Sequence, residues 1–233
     1  MEELDSPSST ESLYTSWGER PSQARPLMQG DVFSGVVLPG LGDEPQDAQI
    51  VMHPCNMRQG PKLFTHITMA PVQPYQFQTS DWRRRFRIMP LPALGGPESA
   101  NMMSDLRLRT PVPSKLISPA ARVAALSNDG VMLLQQRMAF TETRIALSLR
   151  KIHEQMAPTF LELELQEEWV EEALANSAEA RSEAVMDEAA TAFQDWLDHD
   201  NKERRSALEN AWEHSRIRRE ARAEFLRRYA DEQ

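Results

Sequence analysis

The placement of glycine and proline divides this chain into two parts that fold differently. Residues 159–231 contain neither residue, and Ala, Glu, Leu and Arg dominate them, a composition typical of long helices. Residues 27–118 carry a glycine or proline every few positions, with short apolar runs between them, which indicates short strands joined by tight turns. The sequence therefore predicts the α+β class, with a small antiparallel β-barrel followed by a long α-helical hairpin region.

Composition predicts three segments along the chain. Residues 1–26 are rich in Ser, Glu and Pro and are predicted to form a disordered tail. The side chains that could anchor this tail are Leu13, Tyr14 and Trp17. Residues 27–126 form the predicted β-barrel domain, and residues 127–233 form the predicted helical region.

Five apolar runs within the barrel domain have the length of strands. They are residues 31–38, 48–53, 62–72, 85–91 and 105–113. Apolar and polar residues alternate most clearly in "DLRLR" (105–109), and "DWRRRFR" (81–87) is interpreted as a strand whose side chains alternate in direction. Residues 92–104 are predicted to be a surface loop.

The helical region is predicted to begin with one helix over residues 129–154, and Pro158 then breaks the pattern or opens the next helix. A further break is expected at residues 197–202. One apolar stripe is predicted before that break, formed by Val170, Leu174, Val185, Phe193 and Trp196. Such a stripe either packs within a hairpin folded on the rest of the chain or forms an assembly face for another subunit, and both alternatives stay open.

The chain lacks the features of a secreted or membrane-spanning protein. No stretch of about 18 apolar residues occurs, and the acidic, Ser-rich N-terminus does not resemble a secretory signal. The single cysteine, Cys55, cannot form an internal disulfide, which fits a reducing compartment. We therefore predict a cytoplasmic protein that makes no membrane contact and carries no cofactor.

The net charge of −9 is distributed unevenly along the chain. Residues 159–200 contain 13 acidic residues and one arginine, whereas residues 1–158 balance 16 basic residues against 15 acidic ones. An acidic balance argues against a surface that binds nucleic acid everywhere, although it leaves room for a local basic patch. Charge asymmetry of this kind indicates interaction surfaces.

The strongest local charge signal lies in "DWRRRFR" (81–87), where arginines flank aromatic residues. Arginine binds phosphate groups through its planar fork, and aromatic rings stack on exposed bases. The candidate residues for binding nucleic acid or a partner are Trp82, Arg83, Arg84, Arg85 and Arg87. The alternative is that these arginines pair with the acidic residues of 159–200.

The one cysteine lies close to a histidine and an arginine. A neighbouring cation activates a thiol, and a Cys–His pair can drive nucleophilic chemistry, so His53, Cys55 and Arg58 are candidate catalytic residues. A free cysteine at the end of an apolar run is more often a small buried hydrophobe, and we favour that interpretation. No metal site is predicted, because His53, Cys55 and His66 lack a fourth ligand.

Motifs for common enzyme chemistry are missing from the sequence. The chain contains no GxxxxGK[ST], GxGxxG or GxSxG pattern, so neither a phosphate-binding loop nor a nucleophile elbow is predicted. The sequence therefore favours binding over catalysis.

Three motifs occur together in this chain. They are "QGDVFSGVVLPG" (29–40), "IVMHPCNMRQGPKL" (50–63) and "RVAALSNDGVMLLQQRMAFTETR" (122–144). In combination they resemble those of a group of small bacterial proteins with a Gly-Asp-(Val/Ile)-Phe strand, a (His/Gln)-x-Cys turn and a Leu-Gln-Gln-Arg helix. The first strand is also similar to that of toxins of the MazF/PemK type. This resemblance implies an SH3-like barrel, a role in mobile-element or phage-defence biology, and RNA cleavage for which Ser34 and Arg58 are the matching positions.

Two function hypotheses follow. In the first, the chain is a non-catalytic binding or assembly subunit of a bacterial complex, whose barrel contacts a protein or nucleic acid and whose C-terminal helices mediate association. In the alternative, the barrel is a toxin-like nuclease that cleaves RNA with Arg58 and His53. A thiol enzyme would further require that Cys55 is exposed.

Overall fold

The computed structural model describes residues 4–59, 62–177 and 182–230, except for the side chains of residues 200–202 and 230. The chain forms two compact units. The sheet unit comprises the described residues of Met1–Pro21, Leu27–Arg58 and Leu63–Glu154, and the helical unit comprises those of Ser22–Pro26, Gln59–Lys62 and Gln155–Gln233. An antiparallel sheet and long helices together confirm the predicted α+β class.

Short strands make up the sheet unit, as the turn-rich sequence predicts. The described strands are β1 (Val32–Val36), β2 (Gln46–Ile50), β3 (Arg58–Gln59), β4 (Lys62–Leu63), β5 (His66–Pro74), β6 (Ile88–Leu91), β7 (Met102–Asp105), β8 (Thr110–Pro113) and β9 (Arg122–Ala124). Strands β3 and β4 form a separate two-stranded ladder, and the others form one sheet in the order β6-β7-β5-β2-β1-β9, with β8 also paired to β5. The pairings among the described residues end at β6 and β9, so closure into a barrel stays a prediction.

Strand β5 organises this sheet because it pairs along both edges. Strand β2 lies on one edge, while β7 and β8 pair with the two ends of the other edge. Residues 106–109 leave the ladder between β7 and β8, because the buried Asp105 carboxylate accepts hydrogen bonds from the backbone and side chain of Arg107. The strand predicted for "DLRLR" is therefore wrong, and the predicted loop 92–104 ends in β7.

A core of the sheet unit is formed by side chains from β1, β2, β5 and β8 and from the loops that flank them. Its fully buried members include Phe33, Leu38, Ala48, Ile50, Ile67, Met69 and Val112. Burial of this apolar surface is the main driving force for the unit's folding.

A buried ion pair joins the start of β1 to β9. Asp31 Oδ2 lies 3.1 Å from Arg122 Nε and accepts the amide hydrogen of Met28 at 3.0 Å. Gly30, directly before it, has a φ of +96°, and a Cβ added there would lie 2.9 Å from Leu126. The Gly-Asp pair of the "GDVF" motif therefore has a structural role, because only glycine fits this backbone and Asp31 neutralises a buried arginine.

Residues 4–26 do not form the predicted disordered tail. Tyr14 Oη donates to the carbonyl oxygen of Pro92 at 2.9 Å, and Trp17 Nε1 donates to that of Ala93 at 3.0 Å. Buried apolar side chains of this segment include Leu4, Leu13 and Tyr14. Two anchored aromatic rings and their buried neighbours offset the polar composition that indicates disorder.

The boundary between the two units was predicted at residue 126 but lies at Glu154. The described helices are α1 (Asp81–Arg84), α2 (Asn128–Thr143), α3 (Leu149–Asn176), α4 (Glu183–Ala207) and α5 (His214–Ala230). Helix α2 belongs to the sheet unit, which ends at Glu154. Its first turn lies against the N-terminal segment, since Ser127 Oγ caps the amide of Gly130 and donates to the carbonyl oxygen of Ser12.

Several predicted helix ends are wrong. The helix expected over 129–154 is divided between α2 and α3, because Arg144 adopts a left-handed conformation with φ 62° and ends α2. Helix α3 continues through Pro158, and α4 continues through residues 197–202. In α4, Phe193, Trp196, Leu197 and Ala207 are buried on both sides of the expected break, so tertiary packing overrides the local preference of "LDHDNK".

The helical unit contains three long helices around one core instead of a hairpin. Trp169 of α3 is fully buried, with its ring centroid 5.6 Å from Phe193, 5.5 Å from Trp196 and 6.0 Å from Phe225. The predicted stripe lies in this core: Val170, Phe193 and Trp196 are buried, and Leu174 and Val185 are half-buried. The expectation that these five residues form an exposed assembly face is therefore wrong.

No helix in the described part of the chain combines the length and the apolar character that crossing a bilayer requires.

Candidate functional site

The basic segment is a single helical turn and not the predicted strand. In helix α1, the amides of Arg84 and Arg85 donate to the carbonyl oxygens of Ser80 and Asp81. The Asp81 carboxylate is buried and accepts the amide hydrogen of Gln78 and the hydroxyl hydrogen of Tyr75, both at 3.0 Å. These local bonds favour the turn over an extended strand, because the Asp81 side chain satisfies the Gln78 amide in the loop that leads into the turn. The two-sided alternation expected for "DWRRRFR" is therefore wrong.

A buried arginine from α2 holds this turn in place. Arg137 is 1% exposed, and its guanidinium donates to the carbonyl oxygens of Trp82, Arg85 and Ile88. The guanidinium carbon also lies 4.9 Å from the Trp82 ring centroid. Burial lowers the pKa of Arg137 to about 9, while the Asp81 carboxylate acts in the opposite direction. Arg137 therefore stays charged at neutral pH and fixes the backbone from residue 82 to residue 88.

Trp82, a sequence candidate for binding, has a structural role. Its side chain is 4% exposed, and it packs between Arg137 and Phe77, whose ring centroid lies 6.0 Å away in an edge-on arrangement. A ring buried in this way offers no face to a ligand. The prediction that Trp82 is a binding residue is therefore wrong, whereas the four arginines around it are exposed.

The other polar residues of the "LQQR" motif also connect segments of the sheet unit. Gln135 donates to the side chain of Gln29 at 2.9 Å. Gln136 exchanges hydrogen bonds with Asp5 at 2.7 and 2.8 Å and donates to the carbonyl oxygen of Leu147 at 2.7 Å. Consecutive side chains of one helix thus bind three different segments, which gives the motif a structural explanation.

A stack of aromatic and cationic side chains lies at the end of the basic segment. The guanidinium carbon of Arg144 lies 4.3 Å from the Phe86 ring centroid, and that of Arg87 lies 5.6 Å from it. The Phe140 ring meets Phe86 edge-on at 5.2 Å. Both distances from the cations are within the range of cation–π attraction, so one ring holds two guanidinium groups at the surface.

The charges of this region are only partly neutralised. Arg85 is 3.8 Å from Asp81, which is a weak pair for a side chain that is 68% exposed. The side chains of Arg84, Arg87 and Arg144 are exposed and form no ion pair with the described residues. We call Arg84, Arg85, Arg87 and Arg144 the arginine surface.

Two further arginines of the sheet unit have carboxylate partners. Arg107 forms a bidentate salt bridge with Asp105, and its hydrogen bonds lower the pKa of that carboxyl group. Arg109 pairs with Glu142. These two cations are neutralised, so they add little to the positive field of the arginine surface.

The acidic helices find cations within their own unit. Arg205 donates to Glu162, Asp198 and the side chain of Gln194, and Arg218 pairs with Glu164. Arg25, in the short N-terminal part of the helical unit, lies 3.2 Å from Glu167. The idea that residues 159–200 neutralise "DWRRRFR" therefore has no support from these pairs.

Two of the residues predicted for catalysis, His53 and Arg58, form hydrogen bonds with backbone groups. His53 Nδ1 accepts the amide hydrogen of Cys55 at 3.3 Å and thereby caps a short 3₁₀ turn, and burial lowers the pKa of His53. Arg58 donates to the carbonyl oxygen of Leu27. Cys55 is exposed, so the favoured interpretation of a buried hydrophobe is wrong. Ser34 is exposed on β1, where its hydroxyl is 3.5 Å from the carbonyl oxygen of Ala121.

A cleft of ≈ 370 Å³ in the helical unit is lined mostly by charged residues that bind one another. Arg227 and Arg228 both donate to Glu224, and Arg204 lies over the Trp196 ring at 5.0 Å. The described residues contain no group of three His, Cys, Asp or Glu side chains placed to hold a metal ion.

Sequence reasoning found the cationic segment but missed the residues that organise it. Arg137 lies in α2 and Arg144 directly follows that helix, and neither was assigned to the site from the sequence. Two sequence features could have identified them. Arg137 is the last residue of the "LQQR" motif, and Arg144 stands at the end of a helical pattern, where glycine is the usual residue. Distance along the chain concealed the contacts of Arg137 with Trp82 and of Arg144 with Phe86.

The fold and this surface define an α+β protein with a partly unneutralised arginine cluster. Neither a protein-family model nor a curated protein matches the chain. The resemblance to small bacterial barrel proteins and to toxins of the MazF/PemK type stays a prediction.

Proposed function

We propose that this chain is a non-catalytic nucleic-acid-binding protein whose arginine surface contacts the phosphate backbone. The observation that carries the proposal is the group of three exposed arginines, Arg84, Arg87 and Arg144, that form no ion pair among the described residues. Unpaired guanidinium groups on a fixed scaffold bind phosphates and release condensed counterions, which favours association at moderate salt.

Rigidity of the scaffold supports this proposal. Arg137 binds the carbonyl oxygens on either side of Arg84, and Thr141 Oγ1 donates to that of Phe86 at 3.0 Å. Because the backbone carries few alternative conformations, the arginines lose less entropy when a polyanion binds. The negative net charge of −9 confines binding to this surface and opposes nonspecific coating of the protein.

The proposal is tested by binding of a labelled oligonucleotide of ~20 nucleotides, longer than one small binding site, at several salt concentrations. We expect Arg84→Ala/Arg87→Ala to weaken binding by about tenfold or more and to reduce the salt slope by about two. The matched control is Arg219→Ala/Arg222→Ala, which removes two exposed arginines from α5. Equal affinity of the first variant and the wild type, or equal losses in both variants, would contradict the proposal.

The finer features of this hypothesis rest on the sequence. We propose that the sheet is an SH3-like barrel, a class supported by short antiparallel strands and a long central β5. Membership of a bacterial complex and a role in phage defence or mobile-element biology rest on the motif resemblance alone. A cytoplasmic location rests on the single cysteine.

RNA cleavage is not the function that we propose. His53 is engaged in capping a turn, and Arg58 donates to a backbone carbonyl oxygen, so these two side chains support a structural role. Incubation of a labelled RNA with the protein provides the check: intact RNA is expected, and cleavage that is lost in Arg58→Ala would favour the nuclease hypothesis instead.

A further inference from the structure

Arg144 adopts a left-handed backbone conformation, which is unfavourable for an arginine. It follows the last residue of α2 with φ 62° and ψ 18°, and its amide donates to the carbonyl oxygen of Phe140 at 2.9 Å. This is the left-handed position after a helix, where glycine is the usual residue and asparagine the usual substitute. An arginine there breaks a local rule of stability, and such exceptions concentrate at functional sites.

The side chain of Arg144 is held on Phe86. Its guanidinium carbon lies 4.3 Å from the ring centroid, closer than that of Arg87 at 5.6 Å. Phe86 itself is fixed, because Thr141 binds its carbonyl oxygen and Phe140 packs on its ring. A planar cation is thus held against a ring at the surface, and the side chain of Arg144 is exposed.

We propose that the stack of Phe86, Arg87 and Arg144 is a subsite for an unstacked base of single-stranded nucleic acid. This inference rests on the proposed function and names the form of its ligand. The guanidinium plane of Arg144, supported by Phe86, offers a face on which a base can stack. Neighbouring Arg84 and Arg87 contact the phosphates that flank this base. A duplex keeps its bases stacked inside the helix, so it cannot use the subsite.

The chemistry of the site favours a stacked base over a phosphate alone. A phosphate is bound by the edge of a guanidinium group and requires no aromatic support. Here two guanidinium carbons lie within 6 Å of one ring, an arrangement that restrains both groups against an aromatic surface. Orientation of the plane matters for stacking, whereas the charge alone is sufficient for backbone contact.

The first experiment compares ligands of equal charge. Binding of the full chain is measured for a single-stranded oligomer with bases, for an abasic oligomer of the same length, and for a duplex of half that length, so that all three carry the same number of phosphates. The single strands are made as both RNA and DNA. We expect the base-containing strand to bind about tenfold more tightly than the abasic strand, which corresponds to one stacked base. Equal binding of these two strands would overturn the inference and leave the proposed function standing. Tighter binding of the duplex would overturn it as well.

The second experiment separates stacking from charge at residue 144. Arg144→Lys keeps the charge but lacks the guanidinium plane, so it should lose the preference for bases while still binding the abasic strand. Arg144→Gly should lose the preference too, yet its melting temperature should equal or exceed that of the wild type, because glycine fits the left-handed backbone. A preference that survives in both variants would overturn the inference. Failure of the wild type to bind any of the oligomers would instead refute the proposed function.

Discussion

The guanidinium carbon of Arg137 lies 4.9 Å from the ring centroid of Trp82, and the same group donates a hydrogen bond to the Trp82 carbonyl oxygen. One side chain therefore fixes both the ring and the backbone of the turn that carries the arginine surface. This contact connects the "LQQR" helix with the basic segment, and it explains why that segment folds into a helical turn.

Loss of this contact should destabilise the sheet unit. Arg137→Met leaves the carbonyl oxygens of Trp82, Arg85 and Ile88 without their buried donor, so we expect the free energy of unfolding to fall by about 3 kcal/mol or more. Urea denaturation measures this change. Arg150→Met removes an arginine that is 82% exposed and should cost less than about 0.5 kcal/mol. Similar costs for the two variants would show that the buried contact contributes little.

The buried pair of Asp31 and Arg122 should behave as a unit. Arg122→Met leaves the Asp31 carboxylate buried without its cation, and we expect a loss of about 3–5 kcal/mol. Adding Asp31→Asn removes the stranded charge and should recover part of that loss. A double-mutant cycle in urea measures the coupling. Strict additivity of the two substitutions would mean that the two side chains do not depend on each other.

Two tryptophans of the helical unit provide a matched test of its core. Trp169→Ala removes a fully buried ring that contacts three other aromatic rings, so we expect a loss of about 3–5 kcal/mol. Trp212→Ala removes a ring that is 94% exposed and should change the free energy of unfolding by less than about 0.5 kcal/mol. Thermal denaturation of both variants checks the assignment, and a reversed order of the two losses would contradict it.

The exposed thiol of Cys55 should react without unfolding. We expect one thiol per chain to react with a disulfide reagent in buffer at a rate close to that in denaturant, because Cys55 is exposed. A Cys55→Ala variant is the blank for this measurement. A thiol that reacted only after denaturant was added would show that Cys55 is buried in the folded protein and would contradict this expectation.

His53 should make stability depend on pH in one direction. Burial lowers its pKa in the folded state below the ordinary value of 6.5, so the unfolded state takes up a proton first as pH falls. The contribution of neutral His53 is therefore complete above about pH 6.5 and is lost progressively as the pH falls below that value.

The variant His53→Asn tests this dependence, because asparagine keeps an acceptor for the Cys55 amide. Its free energy of unfolding should decline less than that of the wild type between pH 7 and pH 5, as determined in urea. His66→Asn, which alters an exposed histidine, is the control. Parallel pH profiles of wild type and His53→Asn would contradict the assignment.

The fold class and most of the strands were predictable because turn residues and apolar runs report local structure. Helix ends were predicted poorly where packing decides them: α4 passes through "LDHDNK" since Trp196 and Leu197 are buried there. The disordered tail was wrongly predicted because composition cannot show that Tyr14 and Trp17 reach carbonyl oxygens of residues 92 and 93.

In the candidate site, too, local features were predictable from the sequence and features that depend on tertiary packing were not. Exposed arginines at 83–87 were predictable from the sequence as a local charge cluster. The burial of Trp82 was not, because it depends on Arg137, which lies 55 residues further along the chain. Alternation within "DWRRRFR" suggested a strand, but the bonds to Asp81 are local and favour a turn.

The ion pair between Arg25 and Glu167 shows that the helical unit can be completed only late during synthesis. Their positions are 142 residues apart, and synthesis on the ribosome adds about 5–20 residues per second. Arg25 and the short segment around it therefore leave the ribosome several seconds before Glu167 exists. Completion of the helical unit waits for the last part of the chain, whereas every residue of the sheet unit is already present when Glu154 has emerged.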